Sequence, residues 1–279
     1  MRFLEETADK RSHKDDKGRL AWLHHLLGGK CLDEIDRTLI DHIKAERIKI
    51  ASKSTANRYL SLIRRVLRRA ALEWEWIDKV PNIRLFPEDG GRVRSLSREE
   101  FRRLHRELPP HLADMALFAV VTGLRQSNVK GLRWECVDLE LRHAWVIAKE
   151  HKNGKYHSVP LNDDAMAVLL KRQGQHPVYV FTYEDKPIHQ VSTKAWRHAL
   201  ERAGIEDFRW HDLRHTWATW HRQAGTPTYE LQRLGGWKTP AMVERYAHIA
   251  PEGLQRSASR IDNVLGYASA TPETLRDKL

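Results

Sequence analysis

Residues 210–248 read WHDLRHTWATWHRQAGTPTYELQRLGGWKTPAMVERYAH. His211 and Arg214 fall within one helical turn, Trp237 follows a Gly235-Gly236 turn, and Tyr246 comes near the end of a short helix opened by Thr239-Pro240. A histidine, an arginine, an indole N–H and a phenol suit a phosphodiester: a fork for two phosphate oxygens, a proton carrier, a neutral donor and a nucleophile. Any two of them alone would carry little meaning.

Upstream, Thr122-Gly123-Leu124-Arg125 places a second arginine on a turn that opens an amphipathic segment. Between the two arginines, His143 to Leu161 alternates as strands joined at Asn153-Gly154, a two-residue hairpin signal, with Lys152 just before the turn. The order Arg125, Lys152, His211-x-x-Arg214, Trp237, Tyr246 resembles the tyrosine recombinase family, the phage integrase type in particular, from about Lys17 to Ala250. Each motif is weak alone; their order is specific.

The resemblance implies a mainly α fold with a small β-sheet or hairpin, arranged as a two-domain clamp on DNA. It implies a helical core-binding domain over residues 1–86, a linker over 87–94, and a catalytic domain with a C-terminal tail over 95–279. It further implies site-specific recombination through a covalent 3′-phosphotyrosine, with no cofactor and no metal. In that scheme Tyr246 is the nucleophile, Arg125 and Arg214 clamp the non-bridging oxygens, and Lys152 is the acid for the departing 5′ oxygen. His211 assists proton transfer at Tyr246 or the phosphate, while Trp237 binds and packs, since an indole is neither acid nor base. Lys149 and Lys155 lie close enough to share the lysine assignment. The chain departs from the family at Asn128, where members usually carry an acid; an amide orients neighbours but supplies no charge.

Composition agrees with a nucleic-acid partner. The 279 residues carry a formal charge of +11, are 41% apolar, and have a pI near 9.7 and a mean hydropathy of −0.63. Such a chain can bury a core and attracts polyanions. Its longest apolar run, Met115 to Val121, is far short of a membrane span, and the charged start MRFLEETADKRSHKDDK does not read as a signal peptide. Cys31 and Cys136 fall in different expected domains, so reduced thiols in a cytoplasm are expected, on host DNA.

The N-terminal half reads as helices over Gly18 to Leu27, Leu32 to Ile50 with Asp36 or Thr38 as cap, and Ser54 to Trp74. In the last, Tyr59, Leu62, Ile63, Val66, Leu67 and Ala70 form an apolar stripe, and Arg58, Arg64, Arg65, Arg68 and Arg69 crowd the other face. That face is either simply solvated or a phosphate contact that sets register without reading sequence. Trp74 and Trp76 are expected to close the small core. Pro81, Pro87, Gly90 and Gly91 break the pattern into a linker kept basic by Arg84, Arg92 and Arg94. The DNA-contact candidates are thus Arg58, Arg65, Arg68, Arg69, Arg92 and Arg94.

Beyond the linker, Ser97 and Glu100 form a capping box, Asp114 to Val121 a buried helix, and Asn162 to Arg172 and Ser192 to Ala203 two further helices. Among the other tyrosines, Tyr156 and Tyr183 fall in strand or loop and Tyr229 in a helix where packing is expected. The family also implies double-stranded DNA core sites as partner, a homotetramer on DNA, accessory DNA-bending or directionality proteins, and a tail after Ala250 that docks on a neighbouring subunit.

Two other readings remain open on residues alone. A protein that bends or bridges DNA without cutting shares every charge feature and needs no phenol. A zinc hydrolase uses His211 and His215, four apart on a helix, with His221 or His248 as third ligand; Asp212 stands where that motif wants Glu.

Overall fold

The computed structural model describes residues 2–88, 92–147 and 156–246. The chain is mainly helical with two small antiparallel sheets and divides into two compact units, Met1–Gly91 and Arg92–Leu279.

The first unit contains α1 (Arg2–Glu6), α2 (His13–Leu27), α3 (Arg37–Ile50) and α4 (Lys53–Leu72), with a single 3-10 turn at Leu32–Glu34 before α3. Asp36 starts α3 by accepting from the Leu39 amide at 2.8 Å, and Ser52 starts α4 by accepting from Thr55. Leu60, Ile63 and Leu67 of α4 pack on Leu23, Ile40 and Ile43, and each such buried side chain contributes about 1.5–3 kcal/mol. Asn57 then pins the returning chain, donating to the Phe86 carbonyl at 3.0 Å and accepting from its amide at 2.8 Å. Trp74 is buried, but Trp76 is exposed: Glu75 between them takes a φ of 54°, which turns the second indole outward beneath Arg2.

The second unit opens with α5 (Arg98–Glu107), whose Ser97–Glu100 capping box is complete, followed by α6 (Pro110–Thr122). Pro110 occupies the first position of α6, where a missing N–H costs nothing, so the helix begins four residues before the expected start at Asp114. Apolar nearly all round, α6 packs against both α8 (Asp163–Arg172) and α10 (Asp212–Gln223), and is the centre of the unit's core. Its buried Asp114 is matched by Lys171 at 2.7 Å and Arg172 at 3.6 Å. Between α6 and α8 come α7 (Gln126–Lys130) and a three-stranded sheet, β1 (Val137–Asp138), β2 (His143–Ile147) and β3 (Tyr156–Pro160).

The sequence places strands on either side of Asn153-Gly154 without fixing their register, which the structure supplies. A two-residue turn at Asn153-Gly154 in an unbroken ladder would set Ile147 opposite Pro160; the observed register sets it opposite Tyr156. The turn and Lys152 lie outside the described residues. After α8, Val178 to Phe181 forms no strand beyond a bridge from Arg133 to Tyr179, and β4 (Thr182–Tyr183) pairs with β5 (Lys186–Pro187). The unit continues with α9 (Lys194–Arg202), α10, α11 (Thr228–Gly235) and α12 (Ala241–Glu244). Among the described residues no helix is long and apolar enough to cross a membrane.

Gly123 ends α6 with a φ of 65°, and a Cβ there would fall inside the Trp217 indole. Gly123→Ala is therefore expected to cost roughly 2–4 kcal/mol, from left-handed strain plus overpacking. Gly174, with a φ of 81° and open space around it, supplies the control. Gly174→Ala should lower the urea midpoint by the strain alone; equal losses in the two variants would show that the Trp217 contact contributes nothing.

Candidate active site

The site is built around Arg214, on the first turn of α10. Its buried guanidinium donates through Nη1 to the Gly123 carbonyl and through Nη2 to the Gly235 carbonyl, both at 2.5 Å. Its carbon stands 4.2 Å from the centre of the Trp237 ring, a cation–π contact. One side chain thus joins the end of α6, the end of α11 and the following tryptophan. Arg125 stands at the N-cap position of α7, two residues beyond Gly123, and its charge reaches both His157 and His211.

The start of α10 is tied down by Asp212. This buried carboxylate accepts from the Arg209 amide at 2.8 Å and from Arg92 at 2.7 Å, while Arg92 also reaches Asp207 at 2.9 Å. Thr216 accepts from the Leu96 amide at 3.1 Å, and Trp220 donates to the Leu96 carbonyl at 2.9 Å. The basic stretch 92–96 is therefore a brace for the helix that carries His211 and Arg214.

Tyr246 is 1% exposed, whereas Tyr156, Tyr183 and Tyr229 are 63%, 51% and 65% exposed. Tyr229, expected to pack, instead points to solvent and accepts from Arg233, because its face of α11 lies opposite buried Leu231. Tyr246 packs with Trp217, Ala218, Leu231, Trp237 and Val243. Its hydroxyl meets His215 Nδ1 at 2.5 Å. Burial raises the phenol's pKa; Arg245 and Arg214 pull in the other direction.

The two histidines of α10 divide. His211 is exposed at the rim, and its ring stands edge-on to His215 at 5.3 Å. The protein crowding it, and then Arg214, lower its pKa. His215 is half-buried, and desolvation, reinforced by His211, lowers its pKa to about 4. A third histidine, His157 on β3, donates from Nε2 to the Leu234 carbonyl at 3.0 Å and stands over Gly236; burial first, then Arg214 and Arg125, lower its pKa.

Of the six residues singled out from the sequence, Arg125, His211, Arg214, Trp237 and Tyr246 occupy this region, and Lys152 lies outside the described residues. Sequence reasoning missed the contact of His215 with Tyr246, treating that histidine only as a zinc candidate; its adjacency to Arg214 was the available signal. Nothing in the sequence marked His157, which arrives through strand pairing with Val146. No group of three or more metal-ligating side chains occurs among the described residues, and His248 lies outside them.

The arginines proposed for DNA contact also divide. Arg58 and Arg68 are exposed on α4. Arg65 lies 3.4 Å from buried Asp16, and Arg69 pairs with Glu6 at 3.2 Å and Glu73 at 3.0 Å. Arg92 braces Asp212 and Arg94 pairs with Glu100 at 3.0 Å.

The sequence matches the model of the phage integrase family over residues 92–252. It is 38% identical to the integrase of Salmonella phage P22 over 306 positions, covering 95% of this chain and 79% of that protein. It is 31% identical to the shufflon-specific DNA recombinase of Escherichia coli, covering 70% of this chain and 51% of that protein. Among solved structures it resembles a lambda integrase dimer bound to a COC′ core site (TM-score 0.70, 18% identity, 86% of this chain and 94% of that one). It also resembles the Tn1549 transposon integrase in complex with transposon right end DNA (TM-score 0.71, 18% identity, 90% and 94%). At these identities the structural likeness speaks to the fold.

Two outcomes follow from the geometry. Arg92→Ala leaves a buried carboxylate short of its cation and should lower stability by about 1–2 kcal/mol in urea denaturation; an unchanged midpoint would remove the brace. His215 binds a proton more readily unfolded than folded, so it favours the folded state above pH 6.5, and that contribution is lost as pH falls toward about 4. The fall in urea midpoint across that window should be shallower in His215→Asn than in the parent protein.

Proposed function

Because the chain belongs to the phage integrase family, and so is a tyrosine recombinase that breaks and rejoins DNA at specific sites, we propose that its chemistry is carried by Tyr246, Arg125, Arg214, His211, Trp237 and Lys152. Tyr246 attacks the scissile phosphodiester and holds the strand as a 3′-phosphotyrosine. Arg125 and Arg214 bind the non-bridging oxygens, where a planar fork stabilises charge that develops in the transition state. Lys152 protonates the departing 5′ oxygen and His211, at the open rim, handles protons at the phosphate. Trp237 stacks beneath Arg214 and sets its plane. The scheme needs no cofactor.

The observation that carries this reading is the convergence on Arg214 of the Gly123 turn before Arg125, the Gly235 turn before Trp237, and the cluster that contains Tyr246. In the same reading the first unit contacts core-site DNA through exposed Arg58 and Arg68, with Arg65 and Arg69 beside them on α4. The active assembly is a tetramer on DNA, as in the lambda integrase tetramer bound to a Holliday junction. Accessory DNA-bending or directionality proteins choose the direction of exchange, in the cytoplasm of a bacterial host.

The test is covalent capture on nicked duplexes tiled across the DNA that flanks the protein's own coding sequence. The parent protein should give a protease-sensitive adduct that survives SDS, and Tyr246→Phe should give none while binding DNA normally. Arg214→Lys should slow adduct formation roughly 100-fold or more, the cost of losing an oriented charge-stabilising donor. Tight binding with no adduct from the parent protein would favour a protein that bends or bridges DNA without cutting it.

A further inference from the structure

We propose that His215 is the proton acceptor for Tyr246, which leaves His211 to the phosphate. The inference rests on the reading of Tyr246 as nucleophile and adds to it a residue that touches the reacting oxygen.

The geometry is specific. His215 Nδ1 and the Tyr246 hydroxyl are 2.5 Å apart, whereas His211 is exposed and meets His215 only edge-on. The groups facing His215 are His211, Asp212 and Arg214 from α10, and Arg245 and Tyr246 from the segment after α12. Desolvation first, then His211 and the two arginines, keep the imidazole neutral; with its proton on Nε2, Nδ1 carries a lone pair and the phenol donates to it. The same arginines favour a developing phenolate. Proton transfer between these two atoms therefore needs no rearrangement of either side chain.

The step balances. The Tyr246 O–H bond breaks as an N–H bond forms on His215 Nδ1. The phenolic oxygen bonds to phosphorus, and the bond from phosphorus to the 5′ oxygen breaks, its electron pair leaving with that oxygen, which takes a proton from Lys152. At rejoining the 5′ hydroxyl gives its proton back to Lys152 as its oxygen bonds to phosphorus, the bond from phosphorus to the phenolic oxygen breaks, and the imidazolium returns its proton to that oxygen. A bond that merely satisfied a buried phenol would leave both rates unchanged when a residue that accepts without taking up a proton replaced the histidine.

His215→Asn keeps an amide oxygen able to accept from the phenol and removes the basic nitrogen. On the nicked duplexes described above, under single turnover, this variant should bind DNA within about twofold of the parent, while cleavage and rejoining each slow on the order of 100-fold. Its cleavage rate should climb with pH between about 6 and 9, as hydroxide replaces the missing base, where the parent rate is nearly flat above the histidine range. A 5′-bridging phosphorothioate, whose sulfur leaves without a proton, should rescue Lys152→Ala and leave His215→Asn slow. Parent-like cleavage by His215→Asn at every pH would overturn the proposal, as would its rescue by the phosphorothioate, which would move His215 to the leaving group. If the parent protein forms no adduct on any duplex the cutting reading fails, and if Tyr246→Phe still forms one the nucleophile is misassigned; either outcome takes this proposal with it.

Discussion

A buried guanidinium sets the terms for the second unit. Removing a cation from water costs several kcal/mol unless its donors are met by well-placed acceptors. Arg214 is met by two main-chain carbonyls and an aromatic face. Carbonyls can point inward there because each lies at a reversal built on glycine. Gly123 and Gly236 take left-handed φ values of 65° and 60°, and Gly235 leaves the space that the Trp237 ring fills. The glycines at these turns, the tryptophans and the arginine are thus one device, and substitution of any of them disturbs the same point.

Much of this could be read from the chain beforehand, for physical reasons that differ by residue. Caps and apolar periods are local, so the Ser97–Glu100 box, the Asp36 cap and the stripe of α4 emerge where the sequence puts them. The order of arginine, histidine, tryptophan and tyrosine was informative because a phosphodiester demands those groups together. The start of α6 was less visible: Pro110 resembles a breaker until it is recognised as a first-turn residue.

Long-range pairing was not legible. The arginines of α4 look alike in sequence, yet Asp16 and Glu6, many residues away, engage Arg65 and Arg69 and leave Arg58 and Arg68 outward. Arg92 looked like a linker charge and is held instead by a carboxylate 120 residues on. The β2–β3 register also could not be read from the turn signal, because strand pairing is fixed by which faces are buried: Ala144 and Val146 inside, with Val159 opposite Ala144. His157 reaches the site by the same pairing, so it carries no local mark.

The helix α12 has four residues, of which only Val243 is buried, and Tyr246 follows it into the same small cluster. An element this short has almost no stability of its own. Among the described residues it is anchored by the buried side chains of Val243 and Tyr246, the second being the candidate nucleophile and bonded to His215. The segment is therefore expected to open separately from global unfolding, at a lower free energy than α6 or α10. Temperature and mild denaturant would then act on the availability of the phenol well before they act on the fold, so that the thermal optimum of such an enzyme reports the loosening of six residues rather than the melting of the domain.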